Sequence, residues 1–354
     1  MKHIIFASLL CSILGTFNLQ GAPLPDSMLD ASRFLPTDGK TDAAPALQKL
    51  IDENPNRTIY IPDGTYLLAS PVLTPAHPKR SVSLHLANYA ILKAAPGWNH
   101  SEAMIRLGAK DPANDILTPG SNYGLTGGII DGSDVATAIS IDGGRETTIS
   151  HLSVKNAFIG IHIKRGANNA SSDADIFQVN LVGNAKPGSI GVLIQGYDNT
   201  LTNMRIANFI TGVDIRKAGA NTLRNIHPLY SFRKAKIEDF PNSVGFRVDG
   251  LDNILDFCYS DQFATGFLLE KGCRSRFVNC VTYWYSPQIG DHTAVAVKGE
   301  FNAVFRGLRV GFRKKETGNN YVLTVEKPGG KGLIQDLTVN EKLCNSDLHR
   351  TYLK

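Results

Sequence analysis

A right-handed parallel β-helix, an all-β solenoid capped at its start by a helix and a hairpin, is the fold these 354 residues predict. Three observations carry it. A phrase of small residue, apolar, any, apolar returns at "IGIHIKRG" (159–166), "IGVLIQGY" (190–197), "TGVDIRKA" (211–218), "VGFRVDGL" (244–251), "TGFLLEKG" (265–272) and "TAVAVKGE" (293–300), its small residues spaced 31, 21, 33, 21 and 28 apart. A second phrase follows the later copies: "NTLTN" (199–203), "NTLRN" (221–225), "NILDF" (253–257), "SRFVN" (275–279) and "NAVFR" (302–306). Both alternate with period two, and the Asn and Gly between them are residues that accept tight left-handed turns. Such short strands cannot each bury a face alone, whereas a coil stacking every turn on the last builds one continuous core.

Stacking puts equivalent positions about 4.8 Å apart, so columns follow from the alignment. Val192, Val213, Phe246, Phe267 and Val295 form one inward column, with Ile194, Ile215, Val248, Leu269 and Val297 beside it. Asn199, Asn221, Asn253 and Asn302 form a turn column and Asn203, Asn225 and Asn279 another, their amides able to bond along the axis. Met204, Ile226, Cys258 and Cys280 form an apolar column in which the two cysteines occupy adjacent coils. Parallel stacked positions hold the pair farther apart than a disulfide allows, so both thiols are expected free and buried.

The coil needs a cap where it begins. "TDAAPALQKLIDEN" is an amphipathic helix with Asp42 as its cap, and "RTIYIPDGTYLLASPVLTP" reads as strand, turn, strand; together they fill a cap over about 26–75. Just before the helix, Asp38-Gly39-Lys40-Thr41 resembles a phosphate-binding loop, but the required first glycine position holds Phe34 and no buried strand precedes it. Residues 1–22, "MKHIIFASLLCSILGTFNLQGA", have the basic start, short apolar run and small-residue end of an export signal. A single domain over 23–354 with a tail at about 340–354 is expected, and no later window is apolar enough for a membrane span. The hydrophobic fraction of 42% suffices for a full core. The net charge of +5 allows a polyanionic partner, while the dispersal of the bases argues against nucleic acid.

"DGKTDAAPALQKLID" followed by "IYIPDGTYLL" resembles the N-terminal signature of the pectate lyase superfamily, in its branch of rhamnogalacturonase- and epimerase-like β-helix proteins. "GLTGGIIDGSD" (124–134) resembles an early coil of polygalacturonase-like hydrolases. The resemblance covers nearly the whole mature chain and implies extracellular carbohydrate chemistry, in enzymes or in coils that only bind glycan. The four polygalacturonase signatures, Asn-Thr-Asp, Asp-Asp, Gly-His-Gly and Arg-Ile-Lys, do not occur. The fold therefore transfers and the reaction does not.

Loops overhanging a regular wall are where a site is built. The insertions are "ANNASSDADIFQ" (167–178), with "VGNAKPGSI" behind it, and "HPLYSFRKAKIEDFPNS" (227–243). The second brings His227, Tyr230, Arg233 and Lys234 to an edge where the next coils hold "YSDQF" and "TYWYSPQ"; in register His227 aligns with Tyr259 and Asp261 with Tyr283. His227, Asp261, Tyr259 and Arg233 are the catalytic candidates, and Tyr230, Lys234, Asp256, Tyr283, Trp284 and Tyr285 the substrate-binding ones. A lyase needs a base, His227 or Tyr259, and a cation for the uronate carboxylate, Arg233 or Lys234. A glycosidase needs two carboxylates, for which Asp256 and Asp261 are nearest. A binder needs only the rings and cations, and the same rings can instead be the loop's own satellite core. Asp131 reads as a turn former, and the outward column His162, Asp214, Arg247 as solvated surface. No cofactor or metal is called for; the expected partner is an acidic polysaccharide, in an oligomeric state the residues leave open.

Overall fold

The computed structural model describes residues 28–111, 123–165, 171–233, 235–285 and 290–354. The expected export signal and Lys234 lie outside them. Every strand pairing among the described residues is parallel, as a coil requires. One turn runs from Ile190–Ile194 through Thr200–Ala207 to Thr211–Arg216. Strands of the first kind stack into a ten-stranded sheet, and the others into a 22-stranded sheet of two parallel ladders joined at a bend. Thr200–Ala207 and Thr222–Leu229 run through the bend unbroken. The chain is a right-handed parallel β-helix with three walls.

Both inward columns are in register, Val192↔Val213↔Phe246↔Phe267↔Val295 and Ile194↔Ile215↔Val248↔Leu269↔Val297, and all are buried. Aromatic pairs stack along the axis, Phe246 on Phe267 at 5.1 Å and Phe277 on Phe305 at 4.2 Å, each pair adding about 0.5–1.5 kcal/mol beyond its buried area. The small residue of the repeated phrase has a physical cause. A Cβ on Gly191 would lie 2.5 Å from the Gly212 carbonyl oxygen and one on Gly212 would lie 2.6 Å from that of Gly245, so the corner closes only without side chains.

The bend turns the chain with one left-handed residue per coil: His151, Gln178, Asn203, Asn225, Phe257, Asn279 and Asp336, with φ between 51° and 54°, sit level with Gly127 and Gly307. The expected Asn203, Asn225, Asn279 column is therefore real, but Phe257 interrupts it. At the other corner Asn199 Nδ2 donates to Asn221 Oδ1 (2.9 Å) and Asn221 Nδ2 to Asn253 Oδ1 (3.0 Å), all three fully buried. Asn302 does not extend this ladder: Arg276 pairs with Val304, which places Ala303 above Ser275, and Ser275 Oγ takes the Asn253 amide at 3.3 Å.

The cap differs from expectation. The one α-helix among the described residues, Ala44–Glu53, buries Ala44, Leu47, Leu50 and Ile51. Its N-cap is Ala43, while Asp42 ends the preceding strand and accepts from the Ala44 and Ala69 amides at 3.0 Å each. Gln48 reaches the edge strand Val72–Leu73 and pairs with both backbone groups of Leu73, donating to its carbonyl (3.0 Å) and accepting from its N–H (2.8 Å); this satisfies a sheet edge that would otherwise be exposed. The strands flanking Pro62-Asp63 are not a hairpin. Arg57–Ile61 pairs with Met28–Asp30 and Val82–Leu86, and Gly64–Leu68 with Asp38–Asp42 and Ala90–Ala94, all parallel, so they are two walls of the first coil. At the far end the tail folds back, Leu353 bridging to Ile334 and Asn345 bonding Asn320 in both directions. The phosphate-loop look-alike is a turn: Asp38 accepts from the Lys40 and Thr41 amides and the Thr41 hydroxyl, bonds that lower its pKa to about 2. Asp131 likewise accepts from Ser133 N and Asn156 Nδ2, holding one turn to the next.

Candidate functional site

The long corner between the second ladder and the ten-stranded sheet carries 230–243. Its inner half is a satellite core: Tyr230, Phe240 and Phe263 pack with Ala185, Ile210, Ala235 and Ala264. Tyr230 is 1% exposed and donates to the Lys236 carbonyl. Trp284 is 2% exposed, stacked between His292 and Phe312, with Nε1 on the Phe263 carbonyl. These two expected sugar platforms thus hold the loop down, because a ring inside a closed corner offers no face to a ligand. Asp256 is also elsewhere: it stands before the bend at Phe257 and pairs with Arg224 at 3.3 Å.

Outside that core the predicted edge does assemble. Leu229↔Asp261 and Asp261↔Tyr283 are in register, and the His227 ring stacks on Tyr259 with centroids 3.7 Å apart. Asp261, 4% exposed, takes the Tyr283 hydroxyl on Oδ2 at 2.8 Å, and His227 Nε2 lies 3.4 Å from the same oxygen. Its Oδ1 is buried with no hydrogen-bond partner among the described residues. A carboxylate facing Nε2 favours the tautomer with the proton there, leaving Nδ1 as the basic nitrogen. Burial, reinforced by the Asp261 carboxylate, raises the Tyr283 pKa well above that of an ordinary phenol, so this hydroxyl is a donor. Tyr285 is half exposed, its amide held by Gln262 Oε1 at 2.6 Å; burial raises its phenol, against the opposing pull of the nearby exposed Arg233. One oriented imidazole, a buried carboxylate, accessible tyrosines and a cation can move a proton beside a carboxylate-bearing ring.

The outward column of His162, Asp214 and Arg247, expected as solvated surface, is instead a packed polar cluster. Asp214, on the outer side of the ten-stranded sheet, is fully buried rather than solvated, because Arg216 covers it with two bonds to Oδ2 (2.7 and 2.9 Å) and Arg247 approaches at 3.7 Å. Asp214 Oδ1 has no partner among the described residues. Asp142 is likewise held by Arg106 (2.8 Å) and Lys164 (3.3 Å), and His162 bonds Gln195 at 2.7 Å with its pKa lowered by burial. The signal was present in "TGVDIRKA", where Asp214 and Arg216 share a strand face by their spacing of two.

The family model described as "Rhamnogalacturonase A/epimerase, pectate lyase-like" matches residues 35–237, more than half of the chain. The chain belongs to this family. No curated protein matches the sequence. Members of the wider fold resemble it in structure at low identity: an alginate lyase from Paenibacillus (TM-score 0.58, 12% identity, 85% of this chain and 99% of that one) and a family 28 exopolygalacturonase from Yersinia enterocolitica (0.51, 12%, 86% and 78%). The surface adhesin PfbA of Streptococcus pneumoniae is similar to the same degree (0.58, 13%, 88% and 90%). The family is one of polysaccharide-active β-helix proteins, and these likenesses include both enzymes and an adhesin. No helix among the described residues is long and apolar enough to cross a membrane.

Proposed function

We propose that this family member is exported and cleaves an acidic, uronate-containing polysaccharide as a lyase, at the His227–Asp261 edge. One observation carries the reading: a single imidazole is oriented by a buried carboxylate beside tyrosines and Arg233, while Asp256, the carboxylate a hydrolase pair would need, is held by Arg224 before the bend. In this reading His227 Nδ1 takes the proton from the carbon next to the uronate carboxylate, Arg233 neutralises that carboxylate, and the electron pair expels the glycosidic oxygen to leave an unsaturated ring. Tyr259 and Tyr285 line the approach. Export is supported by the basic start and apolar run of residues 1–22, and one domain over 23–354 by the unbroken stack.

The test incubates the protein with polygalacturonate and alginate, reading ultraviolet absorbance for unsaturated ends and reducing sugar for chain breaks. Both signals are expected. Reducing ends without unsaturation would make it a hydrolase, and binding without turnover on either polymer would leave the glycan-binding, adhesin-like alternative. His227→Ala and Asp261→Asn should lower turnover by about 10²–10⁴ with melting unchanged. Full activity in both would move the chemistry away from this edge, toward the Asp214 cluster.

A further inference from the structure

Phe257 is out of place in two respects, exposure and backbone conformation. It is 56% exposed, and its backbone is left-handed at φ 52°, a region that L-residues other than Asn, Asp and Gly occupy at a cost. The levels on either side carry Asn225 and Asn279 in the same conformation, and the next level beyond Asn225 carries Asn203. Asn225 Nδ2 donates to Asn203 Oδ1 at 2.7 Å, so the amide ladder runs up to Phe257 and stops. Neither burial nor backbone preference accounts for a phenylalanine at this level.

Its surroundings do. Phe257 lines an open groove of about 600 Å³ with Thr202, Asn203, Arg224, Asn225, Asp256 and Asn279; none of His227, Tyr259 or Asp261 lines it. Arg224 and Asp256 pair at 3.3 Å with their side chains 69% and 30% exposed, so the charges cancel and both groups remain open to hydroxyls. One apolar ring face among amides, a threonine hydroxyl and a neutralised Arg–Asp pair matches a pyranose ring, which presents C–H groups on its faces and hydroxyls around its rim. A chain lying along the axis would meet a new side chain of the column at each coil, about every 4.8 Å.

We propose that this groove is a second, non-catalytic glycan-binding site, in which Phe257 stacks on a pyranose ring of a polysaccharide and Arg224, Asp256 and the flanking asparagines bond its hydroxyls. The inference rests on a glycan being the protein's ligand, not on catalysis at the His227 edge. Its place beside the edge would let one chain be held while another stretch of it is worked on.

The variant Phe257→Asn restores the residue that the backbone prefers, which separates binding from stability. Affinity electrophoresis of the full chain in gels cast with polygalacturonate, alginate or dextran should show the wild type retarded in at least one gel. Phe257→Asn should weaken that retention about tenfold, with a melting temperature equal or higher. Equal retention of Phe257→Asn overturns the groove while leaving the glycan reading intact. A melting point lowered by more than about 4 °C shows Phe257 to be structural and also overturns it. A wild type retarded in no gel and inactive on all three polymers removes both readings together.

Discussion

Asp261 and His292 are both buried around the long corner, and they are accommodated in different ways. Asp261 meets a phenol and an imidazole, whereas His292 meets rings: Trp284 stacked at 4.9 Å and Phe240 edge-on at 5.7 Å, with neither ring nitrogen bonded among the described residues. Burial first, and the Lys315 charge second, lower the His292 pKa to about 3, with Asp291 near Lys315. The folded state therefore holds His292 neutral at pH values where the unfolded chain, near 6.5, takes up a proton. Its contribution is complete above pH 6.5 and is lost as pH falls from there toward 3, by about 2 kcal/mol between pH 7 and 5. Urea titrations at the two pH values should show that slope in the wild type and a shallower one in His292→Phe; parallel slopes would mean that the ring is protonated in place. At this scale the sequence was legible for residues whose register alone decides contact, such as His227 on Tyr259. It was not legible for Tyr230 and Trp284, because whether a ring on a corner faces out depends on how the loop closes over it.

Between residues and the whole lies the corner, the element that repeats. The register was readable because alternation and small residues mark strand and corner in each copy, and the glycine contacts give the reason. Two misreadings have one cause. "IPDG" carries hairpin chemistry, and "FNAVF" places an asparagine one residue from the ladder, yet the partners that decide the outcome lie a whole coil away, as in Tyr60↔His85 and Arg276↔Val304. A local signal cannot report a pairing that distant. The ladder itself makes a quantitative contrast. Asn221 Nδ2 donates to Asn253 Oδ1 and to the Gly196 and Gly219 carbonyls, and its Oδ1 accepts from Asn199 twice, all buried. Asn221→Ala takes these partners from the buried Asn199 N–H and Gly196 carbonyl, at about 1–3 kcal/mol each, so a loss of about 2–6 kcal/mol is expected. Asn302→Ala, on a partly exposed corner and bonded among the described residues to Glu300 O and Lys331 N, should cost a small fraction of that. Comparable losses in denaturant titrations would show that the ladder passes through Asn302 after all.

For the molecule as a whole, the stack is one core with two closed ends, and the cysteines report on it at different depths. Cys258 and Cys280 lie in adjacent central coils, 0% and 1% exposed, each Sγ donating to a backbone carbonyl of the coil before it at 3.4 Å. Both are free, and burial pushes their thiols up, Cys280 to about 12. A thiol of that kind is unreactive because the thiolate is the nucleophile. Cys344 is only partly buried, in the tail that covers the last coil. Solenoids are held by neighbour contacts, so an end can open at a free energy below that of the centre. Alkylation followed by mass spectrometry along a urea series should therefore modify Cys344 first, under native or nearly native conditions, and Cys258 with Cys280 together at the global transition. No reductant should be needed for either step. Modification of Cys258 or Cys280 at the native rate of Cys344 would mean that the central coils breathe independently, and a requirement for reductant would mean that the parallel stack is bent enough there to close a disulfide.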